Sequence, residues 1–469
     1  MTRQAVPSDS LREIFERQHA AARSSPAPDA NARRASLAVL ADLVQRHATD
    51  LVQAIAADFG RRCQRETEIL DVIPTVRAIR HARRWVRRWM KPELRPVDVL
   101  FQPARAWIRY EPLGVVGILS PWNFPLLLSV VPLANALAAG NRAMLKPSEL
   151  TPGFSELLAR LISQGFDSAQ VAVIQGGVEV ARSFSRLPFD HLMFTGSTAV
   201  GREVLRAAAE NLTPVTLELG GKSPVIIGPD FSLTRAAQSI AFGKWLNAGQ
   251  TCVAPDYVLV PADRARAFAD AVIAEARRAF PSIADGDYTS LITERHRERL
   301  VTALDEARAR GATILRHGAG EESARVMAPA VVLDPPPDCL LMREEIFGPV
   351  LPIVGYERLE DALAFINERG RPLALYCFTN NKRLRERILA GATSGGVMLN
   401  GTLLHAAQDD LPFGGVGPSG MGSYHGRDGF RRFSHARAVH AVGAINALEW
   451  LGPPWGRLAA LATRFLLRR

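Results

Sequence analysis

The sequence predicts a two-lobed α/β protein with doubly wound parallel sheets, and three observations lead there. At 469 residues the chain is too long for one simple core. Short apolar runs ending in Gly, Pro or Ser ("GVVGILSP", "RAMLKPS", "VAVIQGG", "HLMFTGS") alternate with helical patterns such as Leu126 to Ala139 and Ala199 to Asn211. A second alternating series follows "TPVTLELGGKSPVIIG" and runs through "DYVLVP", "PAVVLD", "VLPIVGY" and "LALYCFT", which sets a second lobe from Gly220 to Leu399.

Ahead of the strands, apolar positions three and four apart predict helices from Leu11 to Lys91, broken at "PAPDAN". "DVLFQPARAWIRYEPLG" reads as a hairpin, and the glycine-rich "GVGPSGMGSYHG" as ordered turns packed on a lobe. The net charge of +10 is densest in "RAIRHARRWVRRWMK". There Ile73, Val76, Ile79, Ala82, Trp85, Val86 and Trp89 recur at helical spacing, which leaves the arginines as a solvated face. No reader motif accompanies the charge, so nucleic acid is not expected as a partner. Lysine is confined to Lys91, Lys146, Lys222, Lys244 and Lys382, and a chain that otherwise uses arginine keeps some of these for a compact point charge. Cys63, Cys252, Cys339 and Cys377 lack disulfide or metal spacing, and "MTRQAVPSDS" has no apolar signal core. A reduced, cytoplasmic protein without a metal is expected.

Cys252 stands in "NAGQTCVAPDY", where small neighbours let the backbone turn and expose the sulfur. Composition alone favours an apolar filler over a nucleophile. Glu218 in "TLELGGKSP" lies where an apolar strand meets a Gly-Gly turn, a place where side chains tend to face a cleft, although on its own a surface glutamate at a strand end is the favoured reading. Asn123 in "PWNFP" is fixed by two prolines and is either a rigid donor or a turn residue. "MFTGSTAVGREVL" is a strand, a Gly-Ser-Thr turn and a helix, able to present amides and a hydroxyl to a phosphate, but it is not Gly-x-Gly-x-x-Gly. Lys146 and Glu149 in "MLKPSE" could bind ribose hydroxyls or be solvated charges.

Together "PWNFP", "LKPSE", "FTGSTAVG", "LELGGKSP", "GQTC", "EEIFGPV" and "PFGGVGPSGMGSYHG" resemble the NAD(P)-dependent aldehyde dehydrogenase superfamily, in order and spacing, over nearly the whole chain. "GQTCVAPDY" is similar to the branch holding the class 3 and fatty aldehyde dehydrogenases, and "TLLHAAQDDLPFGGVGPSG" to bacterial coniferyl aldehyde dehydrogenases. The resemblance implies a Rossmann-type cofactor domain (1–95 and 111–219), an α/β catalytic domain (220–400), a small β oligomerisation or bridging element (96–110 and 401–440) and a C-terminal tail (441–469). It makes Cys252 the nucleophile, Glu218 the general base and Asn123 part of the oxyanion hole. Lys146 and Glu149 match adenosine-ribose contacts, Gly196, Ser197 and Gly201 the pyrophosphate loop and helix start, and Glu345 and Phe347 the nicotinamide-ribose contacts, with Leu219 also on the cofactor side.

The implied reaction oxidises an aldehyde, aromatic such as coniferyl aldehyde or medium- to long-chain aliphatic, to the acid through a thioester that Glu218 helps hydrolyse. Acylating and phosphorylating relatives as a group lack that glutamate. A catalytically silent structural or binding protein on the same fold is the alternative. NAD is expected over NADP, because Glu149 repels a 2′-phosphate while Lys146 pulls the other way. A homodimer is expected. Gly401 departs from the coniferyl-like group, where an acidic residue is expected. Phe124, Thr251 and the loop from Thr402 to His405 are expected to line the aldehyde funnel. After Pro454 the tail is too short and too arginine-interrupted to span a membrane. Leu458, Leu461, Ala462 and Phe465 share one helical face, with Trp455 before them and Arg468 and Arg469 after, which suits docking on the protein in preference to lying on a membrane surface.

Overall fold

The computed structural model describes residues 8–284, 286–318 and 323–467. Most of "MTRQAVPSDS", and Arg468 and Arg469, lie outside the described residues.

The N-terminal helical pattern folds as Ser8–Ser24, Ala30–Arg46, Ala48–Phe59 and Ile73–Trp89, with "PAPDAN" as the break. In Ile73–Trp89 the buried side chains are Thr75, Val76, Ile79, Ala82, Val86 and Trp89, and Arg77, Arg80, Arg83, Arg84, Arg87 and Arg88 stay exposed. Ile73 departs from the expected stripe and is 51% exposed. The π-helical turn Glu68–Val72 just before it shifts the phase of the face. Trp85 is only half-buried, with the Arg84 and Arg88 guanidiniums each 5.5 Å from its ring.

Helix Pro125–Ala139 is apolar on every side and buried throughout except Leu127, as expected for a helix covered all round. It packs under a six-stranded sheet in the order Gly420–Met421, Val215–Leu219, His191–Gly196, Val115–Leu119, Arg142–Lys146, Val171–Val173. All neighbours are parallel except the two-residue edge strand at Gly420. The chain runs outward from Val115–Leu119 to one edge, then returns to build the other side from His191–Gly196. The order therefore reverses between those two strands, and a doubly wound sheet binds its ligand outside the carboxyl ends at such a point.

The second sheet has seven strands in the order Thr313–Arg316, Ala330–Leu333, Val350–Tyr356, Tyr257–Pro261, Pro224–Ile227, Ala374–Phe378, Gly396–Leu399, and only the first is antiparallel to its neighbour. A three-stranded sheet joins Glu93–Arg95, Arg105–Pro112 and Ser434–Ala441. The hairpin expected within Asp98 to Gly114 does not form. Asp98 accepts the Leu100 N–H at 2.9 Å and closes a 3₁₀ turn at Val99–Phe101, so Arg105–Pro112 pairs instead with the earlier Glu93–Arg95 and the distant Ser434–Ala441. Within 401–440, Gly420–Met421 joins the first sheet and helix Gly426–Arg432 packs on Pro125–Ala139 and Ile73–Trp89, leaving only the following strand in the small sheet.

The tail does not dock on its own chain. Helix Arg457–Leu466 has no buried residue, and Trp455, Leu458, Leu461 and Phe465 are 75%, 72%, 66% and 72% exposed. Gly452, the cis Pro453-Pro454 bond and Gly456 separate it from the helical turn Ala447–Trp450, which touches the body at Val99–Phe101, and Trp450 and Leu451 share a cleft with Leu458, Leu461 and Phe465.

Candidate active site

Glu218 reaches the site by simple alternation along its strand. Leu217 and Leu219 pack into the core with Val204 and Ala208, so Thr216 and Glu218 face the other side of the sheet. Glu218 is 2% exposed, and neither carboxylate oxygen meets a hydrogen-bond partner among the described residues. Burial raises its pKa well above the ordinary carboxylate range, opposed by the charge of Arg432.

The loop that carries Cys252 begins where helix Leu233–Trp245 ends. Asn247, Ala248 and Gly249 follow with φ of 50°, 49° and 74°, all left-handed. This conformation costs roughly 1–2 kcal/mol for a residue with a Cβ. At Gly249 it is compulsory, because a Cβ there would lie 2.3 Å from the Gly348 carbonyl oxygen. The loop is held by side chains. The Asn247 N–H donates to Glu66 Oε2 at 2.9 Å, Asn247 Nδ2 to the carbonyls of Asn123 and Gln250 at 3.0 and 3.1 Å, and Gln250 Nε2 to those of Asn247 and Ser290 at 2.9 and 3.1 Å. Cys252 emerges half-buried, with its thiol pushed up to about 12 by burial and then by the carboxylates of Glu345 and Glu218. Asn123 is 3% exposed and its Nδ2 donates to the Gln250 carbonyl at 3.1 Å, which ties the amide to the segment carrying Cys252.

Across the cleft the backbone of "EEIFG" is clamped. Lys222 pairs with Asp256 and donates to the carbonyls of Leu341 and Glu344 at 2.7 and 3.0 Å, while Asp256 Oδ1 accepts the Ile346 N–H at 3.0 Å. Arg299 donates to the carbonyls of Glu345, at 3.1 Å, and Ile346. Burial and then Asp256 raise Glu345 to about 8. Its carboxylate lies where a side chain at Gly220 would sit, 2.1 Å from a hypothetical Cβ. Phe347, at φ 48°, packs edge-on against Trp122 at 5.4 Å.

The residues expected to hold a dinucleotide gather at the carboxyl ends of the first sheet. Lys146 is 2% exposed and donates to the Pro147 carbonyl at 3.0 Å and Glu149 Oε2 at 3.2 Å, and burial lowers its pKa. Glu149 is exposed. Gly196 ends its strand, and Ser197 caps helix Thr198–Ala209 by accepting the Val200 N–H at 3.4 Å. Gly201 lets that helix sit on the sheet, since a Cβ there would meet Leu219 Cδ2 at 2.7 Å. Thr198, Gly220, Gly221, Lys222, Glu345 and Pro418 line a cleft of ≈ 580 Å³ between the sheets. The N-terminus of helix Thr198–Ala209 and two glycines without side chains fit a pyrophosphate there, whereas Lys146, Glu149, Gly196 and Ser197 are not among the residues lining this cleft.

Some expected funnel residues do other work. Phe124 is buried with the Arg62 guanidinium 5.1 Å from its ring, and the Thr402 hydroxyl donates to the Ser239 carbonyl at 2.7 Å. Thr251 is buried with its hydroxyl unpartnered among the described residues, and half-buried His405 packs on Tyr376 at 5.9 Å. Gly401 accommodates the end of Met398, whose Cε would be 2.5 Å from a Cβ. Sequence reasoning missed Tyr376, whose hydroxyl donates to the Val253 carbonyl, and Tyr424, buried within the field of Glu218 and Cys252. It also missed Arg62 and Glu66. The tyrosines sit in apolar or glycine-rich runs that read as core or turn. The scarcity of lysine was a usable signal: Lys146, Lys222 and Lys244 are buried, and only Lys91 and Lys382 are exposed.

Comparison with known proteins agrees with this geometry. Residues 2–439 match the aldehyde dehydrogenase family. The chain is 51% identical over 448 residues to the "Probable coniferyl aldehyde dehydrogenase" of Pseudomonas aeruginosa, covering 95% of this chain and 94% of that protein. It is 45% identical over 399 residues to the coniferyl aldehyde dehydrogenase of a Pseudomonas species, covering 83% and 82%. Among solved structures, the substrate-bound state of Staphylococcus aureus AldH superposes with a TM-score of 0.92 at 36% identity, covering 97% of this chain and 99% of that one. The NAD+ complex of a Bacillus cereus aldehyde dehydrogenase superposes at 0.85 with 27% identity, covering 93% and 90%. Nothing among these matches favours a silent structural protein. The chain belongs to the aldehyde dehydrogenase family and is an NAD(P)-dependent oxidoreductase that acts on aldehydes.

Proposed function

We propose that Cys252 is the nucleophile, Asn123 an oxyanion donor and Glu218 the hydrolytic base of an aldehyde dehydrogenase that releases a free carboxylic acid. The observation that carries this reading is the tie between the Asn123 amide and the nucleophile loop, with the unpartnered Glu218 carboxylate close enough to raise the Cys252 thiol. An amide nitrogen has two N–H groups, and one of those on Asn123 remains for an oxyanion while the other holds the Gln250 carbonyl. Attack by the Cys252 sulfur on the aldehyde carbon moves the carbonyl electrons onto oxygen, where the Asn123 N–H and the Cys252 backbone N–H stabilise them. The chemistry a bound nicotinamide supplies is acceptance of the hydride given up by that adduct, which leaves a thioester on the sulfur. Lys146, Glu149, Ser197, Gly201, Leu219, Glu345 and Phe347 are the residues that would hold and orient it. Glu218, once ionised, takes a proton from water as the water adds to the thioester carbon, and cleavage of the carbon–sulfur bond returns the thiolate and releases the acid.

The coniferyl names of the relatives support an aromatic aldehyde as substrate, with aliphatic aldehydes as the comparison class in a kcat/KM panel. NAD is preferred over NADP because the Glu149 carboxylate beside Lys146 repels a 2′-phosphate. The exposed edge strand Ser434–Ala441 supports a homodimer in which that edge is covered. The bare apolar face of Arg457–Leu466, with Arg457 and Arg464 exposed beside it, supports peripheral contact with an anionic membrane surface. Among the described residues no helix is long and apolar enough to cross a membrane. The test of the catalytic reading is Cys252→Ala, expected to leave less than about one per cent of turnover with NAD binding intact. Turnover well above that level would remove Cys252 from the nucleophile role.

A further inference from the structure

We propose that Arg62, Glu66 and Asp71 form a positioning clamp that fixes Asn123 and the Cys252 loop relative to each other, with Glu66 as its essential member. The inference rests on the roles given above to Cys252 and Asn123, and it concerns residues that do not touch the reacting atoms.

All three side chains come from one short stretch that ends in the π-helical turn Glu68–Val72, and all three are buried. Each holds a different part of the site. Arg62 Nη1 donates to the Asn123 carbonyl at 2.9 Å, and its guanidinium lies 4.8 and 5.1 Å from the rings of Phe59 and Phe124. Asp71 Oδ1 accepts the Leu127 N–H at 2.5 Å and so satisfies an orphan donor in the first turn of the helix that follows Asn123. Glu66 Oε2 accepts the Asn247 N–H at 2.9 Å, and its Oε1 accepts the Thr289 hydroxyl at 2.8 Å. Asn247 opens the run of left-handed residues that leads to Cys252 and donates to both the Asn123 and the Gln250 carbonyls.

Two non-glycine residues in a left-handed conformation persist only where their surroundings over-determine them. Among the described residues the Glu66 carboxylate is the one charged acceptor on that strained backbone. Arg62 Nε lies 4.0 Å from Glu66, so the charge that orders the nucleophile loop is balanced by the charge that orders Asn123. The two segments are thereby held by one buried pair. Asp71 also faces Arg62, so loss of the Glu66 charge alone leaves Arg62 with an acidic partner, and it is the hydrogen bonds of Glu66 that hold the loop.

The titratable and polar groups facing this clamp are Arg62, Cys63, Glu66, Asp71, Thr289 and the amides of Asn123 and Asn247. A glutamine at 66 can still accept from the Asn247 N–H and can donate to the Thr289 hydroxyl, so it rebuilds both contacts without the charge. Alanine rebuilds neither.

The test uses the full chain and three variants, Glu66→Ala, Glu66→Gln and Asn247→Gly. Four quantities are measured: kcat, KM for aldehyde, NAD affinity by fluorescence titration, and the rate of Cys252 alkylation by iodoacetamide located by mass spectrometry. Glu66→Ala is expected to lower kcat about 100-fold, the order of loss that a misplaced reacting group produces, and to change the alkylation rate about three-fold or more, with NAD affinity within about two-fold of wild type. Glu66→Gln is expected to recover most of the lost kcat. Asn247→Gly, which keeps the backbone N–H to Glu66 but removes the side-chain donors, is expected to reproduce the altered alkylation rate. It also serves as the decisive variant if Glu66→Ala does not fold. The clamp is overturned if Cys252 alkylation is unchanged in whichever of Glu66→Ala and Asn247→Gly folds, or if kcat and NAD affinity fall in parallel, the sign of a general loss of structure. Alkylation reports on the loop whatever chemical role Cys252 has, so failure of the clamp is distinguishable from failure of the catalytic reading.

Discussion

At the residue scale the site is a set of groups held away from their ordinary protonation states, and this makes it testable by pH. Burial raises the Cys252 thiol first, and the Glu345 carboxylate adds to it. Glu345 is itself raised to about 8, so it carries charge only above that pH. Glu345→Gln is therefore expected to change Cys252 alkylation little at pH 7 and to raise it about 2- to 5-fold at pH 9, where a negative charge has been removed from beside the thiolate. Unchanged alkylation at pH 9 would mean that the two groups do not share a field. Lys244 gives a stability prediction. Burial lowers it from an ordinary 10.5 to about 8, so the unfolded chain holds its proton more tightly between those values. The penalty is complete below about pH 8 and disappears as pH rises toward 10.5. Lys244→Met should raise Tm by about 2 °C or more at pH 7, and the gain should shrink between pH 8 and 10. A gain that is constant over that range would place its origin in packing. Cys252, Glu218 and Asn123, the residues of the proposed reaction, could be picked out in the sequence because each stands in a short, ordered motif. Arg62 and Glu66 could not, since nothing local marks a charged residue that will be buried against segments far along the chain.

At the element scale the apolar strands and long helices were legible because their signals are local. Parallel strands covered on both faces read as continuous apolar runs, and each such run forms a strand at the expected place. The hairpin within Asp98 to Gly114 was misread because Arg105–Pro112 pairs on one side with Glu93–Arg95, ahead of the expected segment, and on the other with Ser434–Ala441, more than three hundred residues away. Trp107, Ile108 and Tyr110 mark Arg105–Pro112 as a strand but do not say what it pairs with. The π-helical turn was equally hidden, since one extra residue in a turn leaves no compositional mark. The nucleophile loop offers the sharpest test of an element. Gly249→Ala forces a Cβ into a left-handed position already filled by the Gly348 carbonyl. It should cost about 1–3 kcal/mol in denaturant unfolding and depress kcat, whereas near-wild-type values for both would show that the loop is free to rearrange.

At the scale of the whole molecule, the reversal of strand order marks where the proposed cofactor cleft opens, and the clamped "EEIFG" segment of the second lobe borders it. The tail is the part whose sequence signal misled. The amphipathic face was read correctly, but an apolar stripe does not say what covers it, and here the chain's own surface does not. Full-length protein is expected to co-sediment with vesicles containing anionic phospholipid at physiological salt, less so at high salt, and deletion after Pro454 should abolish binding. Failure of the full-length chain to sediment, with deletion instead changing the oligomeric state in light scattering, would assign the tail to a second copy. The central claim, that Cys252 carries an acyl group which Glu218 helps hydrolyse, is tested most directly by rapid mixing of Glu218→Gln with NAD and a coniferyl-type aldehyde. The account predicts a burst of reduced cofactor approaching one equivalent per Cys252, followed by slow turnover that no longer accelerates with pH, because the carboxylate that must ionise is gone. Absence of a burst, or turnover at the wild-type rate with its pH dependence intact, would contradict it.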